Sequence, residues 1–181
     1  MDPIVAAALK KWPNVPHCYG WLALDARGDW YMRDDRIQAA GPFPRVKGSR
    51  IDHEKLREFI ARNYAHDESG AWFFQNGPQR VYVELEAAPY VWRLAAAAAT
   101  PPAIASHIGA PAVFRSAQVD EQGRLFLDTD AGYGIVHTLD MEAAADAVER
   151  GHWAPEPVAF ADLPARFGYR LRAEGAASHA P

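Results

Sequence analysis

The chain has one cysteine, Cys18, in 181 residues, so no disulfide can close within it and no cysteine-based metal cluster can form. It also lacks an excess of basic charge. Nineteen Lys and Arg against twenty-three Asp and Glu leave a formal charge of -4, the wrong sign for holding nucleic acid by bulk attraction to phosphates. Long apolar runs are missing too. The uncharged stretch from Arg93 to Arg115 is broken by Pro101, Pro102, His107, Pro111 and many small residues, and it reads as a loop with a short helical turn rather than a membrane span. At the N-terminus Asp2 precedes the apolar residues and Lys10 and Lys11 follow them, which reverses the charge order of a secretory signal and leaves a short helix as the reading. Together these absences point to a soluble, cytoplasmic protein with no membrane and no nucleic-acid partner.

Rings are plentiful, with six Trp, seven Tyr and eight Phe concentrated in segments that alternate like strands. The most distinctive pattern is Asp-x-x-Gly-x followed by three bulky apolar residues. It occurs at Asp25, Gly28 and Trp30-Tyr31-Met32, at Asp67, Gly70 and Trp72-Phe73-Phe74, and at Asp120, Gly123 and Leu125-Phe126-Leu127. Aspartate can hold the first corner of a turn through its side chain, and glycine can take the left-handed conformation that closes a hairpin. The spacing is too uneven for a solenoid or propeller, leaving either a duplicated motif or hairpins that chose similar turn chemistry independently.

Alternation predicts a first hairpin from Cys18 to Asp34 and an extended connection over Ile37 to Ser49. A helix follows over Ile51 to Tyr64, with Ser49 or Asp52 as its cap. A meander over Ala71 to Gln75, Arg80 to Glu86 and Tyr90 to Leu94 comes next. A third hairpin runs from Val113 to His137, with a helix over Met141 to Arg150 and a short one within Asp162 to Phe167. The expected class is α+β: antiparallel hairpins and meanders forming one or two small sheets packed with two or three helices. Residues 1–16 form an N-terminal helical arm, 17–172 a single globular domain, with two similar halves as an option, and 173–181 a disordered tail.

No catalytic signature stands out. Cys18 follows His17, but adjacent strand residues point to opposite faces, so the thiol reads as a small core hydrophobe. Asp128-x-Asp130-x-Gly132 has Gly132 where a calcium loop needs oxygen and Leu139 where it needs glutamate, which favours a plain hairpin turn. The histidines show no zinc-ligand spacing, and Gly132-Tyr133-Gly134 lacks the context of a phosphate loop. No metal and no cofactor are expected. Glu84 and Glu86 share a predicted strand face with Tyr82 and could supply acid and base if that face lines a pocket; an exposed polar face is the plainer reading.

From Asp67 to Leu94 the chain reads Asp-Glu-Ser-Gly-Ala-Trp-Phe-Phe and then Val81-Tyr82-Val83-Glu84-Leu85-Glu86-Ala87-Ala88-Pro89-Tyr90-Val91. This resembles a bacterial family numbered 1285 among the domains of unknown function, in which an aromatic strand precedes a Val-Glu-Asp-Ala-Pro-Phe segment. The Asp25 to Trp30 turn with Trp21 resembles its first hairpin, and Leu125 to Asp130 resembles a later strand. Ala87 stands where that family has an acid, and its Thr-Pro-Val-Glu segment is absent. The resemblance implies an α+β protein with repeated sheet-and-helix motifs and a role in ligand sensing or signal transduction.

The leading expectation is therefore a non-enzymatic binding or regulatory module that takes a small molecule or a protein partner in an aromatic-walled groove. Candidate groove residues are Trp21, Trp30, Trp72, Tyr82, Glu84, Glu86, Tyr90 and Trp92. Two alternatives stay open: a hydrolase or transferase using Glu84 or Glu86 with help from His137, and an interaction protein, including a homo-oligomer, that uses a sheet edge.

Overall fold

In the computed structural model, which describes residues 1–97, 100–173 and 175, the three Asp-x-x-Gly turns share one hydrogen-bond pattern. Each aspartate N–H donates to the carbonyl of the residue four positions on, and its Oδ1 accepts that residue's N–H: Asp29 onto Asp25 at 3.0 Å, Ala71 onto Asp67 at 3.2 Å and Arg124 onto Asp120 at 2.8 Å. The glycines sit at φ of 82°, 81° and 74°, where a side chain would be strained. Oδ2 takes a different partner in each turn: Lys47 and the Tyr31 hydroxyl for Asp25, the Tyr82 hydroxyl for Asp67, and Arg124 Nε at 2.7 Å for Asp120.

The Asp120 side chain is closed to solvent, as is that of Asp25. Asp120→Ala removes two hydrogen bonds from backbone N–H groups and the Arg124 ion pair, and the expected loss is about 2 to 3 kcal/mol. Urea denaturation measures it; a loss under about 0.5 kcal/mol would show that the turn holds without its carboxylate.

Contacts divide the chain into two units, one built from Met1–Asp25, Asp29–Glu86 and the C-terminal segment from Gly168, the other from Ala26–Gly28 and Ala87–Phe167. The first contains α1 (Pro3–Lys11), β1 (Cys18–Leu24), β2 (Trp30–Met32), α2 (Asp35–Ala40), β3 (Ser49–Arg50), α3 (Glu54–Arg62), β4 (Tyr64–His66), β5 (Trp72–Asn76) and β6 (Gln79–Leu85). Its sheet runs β3-β2-β1-β6-β5-β4, antiparallel except where β1 and β6 lie parallel. One face carries Leu22, Leu24, Trp30, Trp72, Phe74, Val83 and Leu85, and α3 contributes Ile60 and Phe59, whose ring meets Phe74 edge-on at 5.4 Å. The sheet curls enough for Trp30 on β2 to reach Tyr64 on β4, ring centroids 5.2 Å apart. Asp2 ties α1 to the end of α3, its carboxylate taking Arg62 and the Asn63 amide while its N–H donates to Asn63.

The second unit contains β7 (Tyr90–Ala97), β8 (Thr100–Ser106), β9 (Pro111–Ala112), β10 (Phe114–Val119), β11 (Leu125–Thr129), β12 (Gly132–Val136), α4 (Met141–Glu149), β13 (Glu156–Pro157) and α5 (Leu163–Phe167). Its sheet runs β13-β10-β11-β12-β7-β8-β9. Trp92, Ile104, Ala117, Leu125, Leu127 and Val136 pack with Ala144 and Ala147 of α4 and with Trp153. On the other face Phe126 and Tyr133 meet Phe160 and Phe167. Gly134 is required here because a Cβ would lie 2.5 Å from the Trp92 indole nitrogen, which crosses β12 to donate to the Leu127 carbonyl. That packing accounts for one of the two glycines around Tyr133.

The α+β class holds, and several expectations about its parts are corrected. Within the stretch from Arg93 to Arg115, the described residues of β7, β8 and β9 are strand rather than loop, and Pro101 and Pro102 fall where β8 pairs with β7 alone and the register is irregular, so their missing N–H groups break no ladder there. The meander is not continuous: β6 and β7 belong to different sheets. Ile37 to Ser49 opens with helix α2, whose cap is Asp34, accepting from Ile37 N–H at 2.9 Å. The Ile51–Tyr64 helix is confined to α3, capped by His53 rather than by Ser49 or Asp52, and Tyr64 has joined β4. Of the segment expected to be a tail, Ala173 is buried and Gly175 approaches Tyr19; residues 174 and 176–181 lie outside the described residues.

His107 in the second unit is half-buried with its Nε2 closed to solvent and its Nδ1 accepting from Val91 N–H at 3.2 Å, and desolvation of the ring pushes its pKa down to about 3. The unfolded chain takes up this proton near pH 6.5 and the folded chain does not. Stability is therefore complete above pH 6.5 and declines as the pH falls toward 3, by about 2 kcal/mol between pH 7.5 and 5 from this group. In His107→Asn an amide oxygen can replace the Nδ1 acceptor, and urea denaturation at the two pH values should show that this part of the decline is gone; an unchanged slope would refute the assignment.

Candidate functional site

Ala23 pairs with Tyr31 on one side and Glu84 on the other, so alternation puts Trp21, Ala23 and Asp25 of the first hairpin on one sheet face with Tyr31, Arg33, Tyr82, Glu84 and Glu86. Because Ala23 rises only one methyl above the sheet, Arg33 can cross over β1 to the strand beyond. Its Nη1 meets Glu84 Oε2 at 2.6 Å and its Nη2 donates to the Gly41 carbonyl at 2.7 Å, while its Nε is buried with no hydrogen-bond partner. Phe43 lies against the guanidinium, and the Gln38 amide donates to the Arg33 carbonyl. Apart from Glu84, these partners come from residues 38–43, the stretch that begins with α2 and its Asp34 cap.

The other carboxylate oxygen of Glu84 forms an ion pair with Arg172 Nε at 2.9 Å. The two arginines differ sharply in burial: the Arg33 side chain is 2% exposed, the Arg172 side chain 48%. Beside them Lys47 bridges Asp25 at 2.8 Å and Glu86 at 3.3 Å, and the Tyr31 hydroxyl donates to Asp25. Burial pulls the Lys47 pKa down, but hydrogen bonding and charge from Asp25 and Glu86 outweigh it and hold the ammonium above its ordinary range. For Tyr31, burial and then the Asp25 charge push the phenol up.

An aromatic layer continues the face. Tyr82 stacks on Tyr19 with centroids 4.8 Å apart, takes His17 and Phe73 edge-on, and donates its hydroxyl to Asp67 at 2.9 Å. Burial, then the bond to Asp67, raises the Tyr82 pKa against the opposing pull of Arg80. Cys18 is also raised, by burial and then by Asp35, which leaves it a poor nucleophile.

Over this face runs the C-terminal segment. β6 outlasts its partner β5, and residues 170 and 171 lie beside its end: Leu85 N–H donates to the Leu171 carbonyl at 2.8 Å, and Arg170 N–H donates to the carbonyl of Gly70 in the Asp67 turn at 3.0 Å. Arg170 Nε reaches the Ser69 carbonyl, and Ala173 packs with Ala71, Phe73 and Tyr82.

Of the residues singled out from sequence, Trp21, Trp30, Trp72, Tyr82, Glu84 and Glu86 lie in the first unit and Tyr90 and Trp92 in the second. Trp30, Trp72 and Trp92 are buried, Trp92 completely, and Trp21 is 39% exposed. Tyr82, Glu84 and Glu86 share the charged and aromatic face with Trp21. Tyr90 stacks on Trp92 at 5.1 Å. Sequence reasoning missed Arg33, Lys47 and Arg172; the signal available was a charged residue two past Tyr31 in strand alternation, since a basic group there faces the row of Glu84.

A family model described as "Protein of unknown function (DUF2946)", named DUF2944, matches residues 1–174. The chain belongs to this family. Two solved structures are similar to this family member. One is a DUF1285 family protein from Silicibacter pomeroyi DSS-3, with 15% identity, 81% of this chain and 84% of that chain covered, and a TM-score of 0.48. The other is a DUF1285 family protein from Shewanella baltica OS155, with 14% identity, 70% and 91% covered, and a TM-score of 0.42. Both bear the family number that Leu85 to Val91 resembles. No curated protein matches the chain. The α+β architecture of this family member rests on the two sheets and five α-helices among its described residues.

A general base needs a lone pair directed at a substrate proton, whereas each Glu84 oxygen is taken by a guanidinium and Glu86 is engaged by Lys47. His137, the proposed assistant, lies in the second unit and accepts from Leu139 N–H through Nδ1. Among the described residues no group of three or more His, Cys, Asp or Glu could hold a metal ion, and no helix is long and apolar enough to cross a membrane.

Proposed function

We propose that this chain is a non-enzymatic binding module whose recognition site is the Glu84 face of the six-stranded sheet. The observation that carries this reading is the unequal grip on one buried carboxylate. Arg33 holds Glu84 from inside the fold, and Arg172 holds it from a half-exposed position on the chain's C-terminal segment. A pair that is fixed on one side and wet on the other can exchange the wet partner at little cost. Trp21 faces the same side and serves as an optical reporter. A regulatory role in signal transduction is the use that the family resemblance implies, and the single half-buried cysteine accords with a cytoplasmic setting.

The test follows tryptophan fluorescence and melting temperature for the unmodified chain and for Arg172→Ala across cationic, neutral and anionic small molecules. Cationic ligands should shift the variant more than the unmodified chain. Silence in both proteins across the whole panel would remove the reading.

A further inference from the structure

Building on that reading, we infer that the site's partner is an extended peptide segment carrying an arginine, and that residues 170–173 occupy the site in cis. Three different contacts describe the same occupant. Leu85 N–H at the end of β6 and the Gly70 carbonyl in the Asp67 turn are backbone groups that an extended backbone can pair with, and the chain's own residues 171 and 170 pair with them. Glu84, already held by Arg33, presents its second oxygen to a guanidinium, and Arg172 supplies one at 2.9 Å. Beside it the bed formed by Ala71, Phe73 and Tyr82 accepts a small apolar side chain, filled by Ala173.

The bed is shaped for a passing backbone. A Cβ on Gly70 would stand 2.3 Å from the Gly168 carbonyl oxygen and 3.1 Å from Tyr169 Cα, so the glycine that closes the Asp67 turn also leaves room for the segment that crosses it. Backbone pairing alone would accept any sequence. Selection comes from Glu84, because a carboxylate with one oxygen committed to a buried arginine favours a planar, charged donor over a neutral one. A second arginine two positions earlier gains the Ser69 carbonyl, as Arg170 does here. The partner this face fits is therefore an extended Arg-x-Arg-small segment, and the C-terminal segment competes with it.

The experiment uses the full chain, unmodified and as Arg172→Ala, with folding of both checked by circular dichroism. The probe is a fluorescent peptide spanning residues 168–175, compared with the same peptide carrying R172A, and with L-argininamide as a small competitor. The full chain with Arg172→Ala should bind the native peptide at least tenfold more tightly than the unmodified chain does. The substituted peptide should bind at least tenfold more weakly than the native one. Equal binding to both chains would overturn occupancy in cis, and equal binding of both peptides would overturn selection by Glu84. If argininamide binds the variant and the peptide does not, the extended-segment inference fails while the binding reading stands. If neither binds, both fall.

Discussion

Glu84→Gln should lower the stability of the folded chain by about 3 to 5 kcal/mol, whereas Arg172→Ala should cost less than about 1 kcal/mol. The contrast follows from burial. Neutralising Glu84 leaves the Arg33 guanidinium buried without its counter-charge, in a position where Nε already lacks a hydrogen bond. Breaking a buried pair by removing one partner carries that large penalty, because the remaining ion cannot regain its hydration. Removing Arg172 leaves Glu84 still paired with Arg33 and gives up only a half-exposed contact screened by solvent. Urea denaturation of the two variants under the same buffer measures both losses. Comparable losses would make Arg172 a structural member of the cluster, and the exchangeable side of the site would disappear with it.

Gly70→Ala should be the most damaging of the turn-glycine substitutions, at about 3 kcal/mol or more, against about 1 kcal/mol for Gly123→Ala. Both glycines occupy the left-handed region, at φ of 81° and 74°, so the conformational penalty is nearly the same in each, about 1 kcal/mol. Space separates them. A Cβ at Gly123 meets nothing within 4 Å, while a Cβ at Gly70 collides with the backbone of Gly168. Backbone cannot rotate aside as a side chain can, so either the turn or the C-terminal segment must move. Faster tryptic cleavage after Arg170 or Arg172 in Gly70→Ala would show that the segment yields. Equal melting temperatures for the two variants would contradict the crowding at Gly70.

What was readable along the chain was local. The Asp-x-x-Gly turns were legible because their chemistry is complete within five residues: carboxylate, backbone N–H and a glycine at positive φ. Residues Met141 to Arg150 and Asp162 to Phe167 carried enough helical pattern to be placed. Pro101 and Pro102 point to a loop in the sequence yet lie within β8, because whether a missing N–H matters depends on which strand lies alongside. The break between β6 and β7 was likewise invisible. Period-two alternation continues through a change of sheet.

The Glu84 site shows the same division. Alternation alone placed Tyr82, Glu84 and Glu86 on one side of a strand, but it treated that side as polar and open. Burial of Glu84 depends on Arg33, 51 residues earlier, and on Arg172, near the other end of the chain. The amino-acid sequence by itself determined the turns, the α+β class and which residues share a strand face, since these follow from steric preference and short-range hydrogen bonding. Only the tertiary structure decided which charges are paired and how deeply, because Coulomb attraction and desolvation depend on distances in space that separation along the chain does not encode.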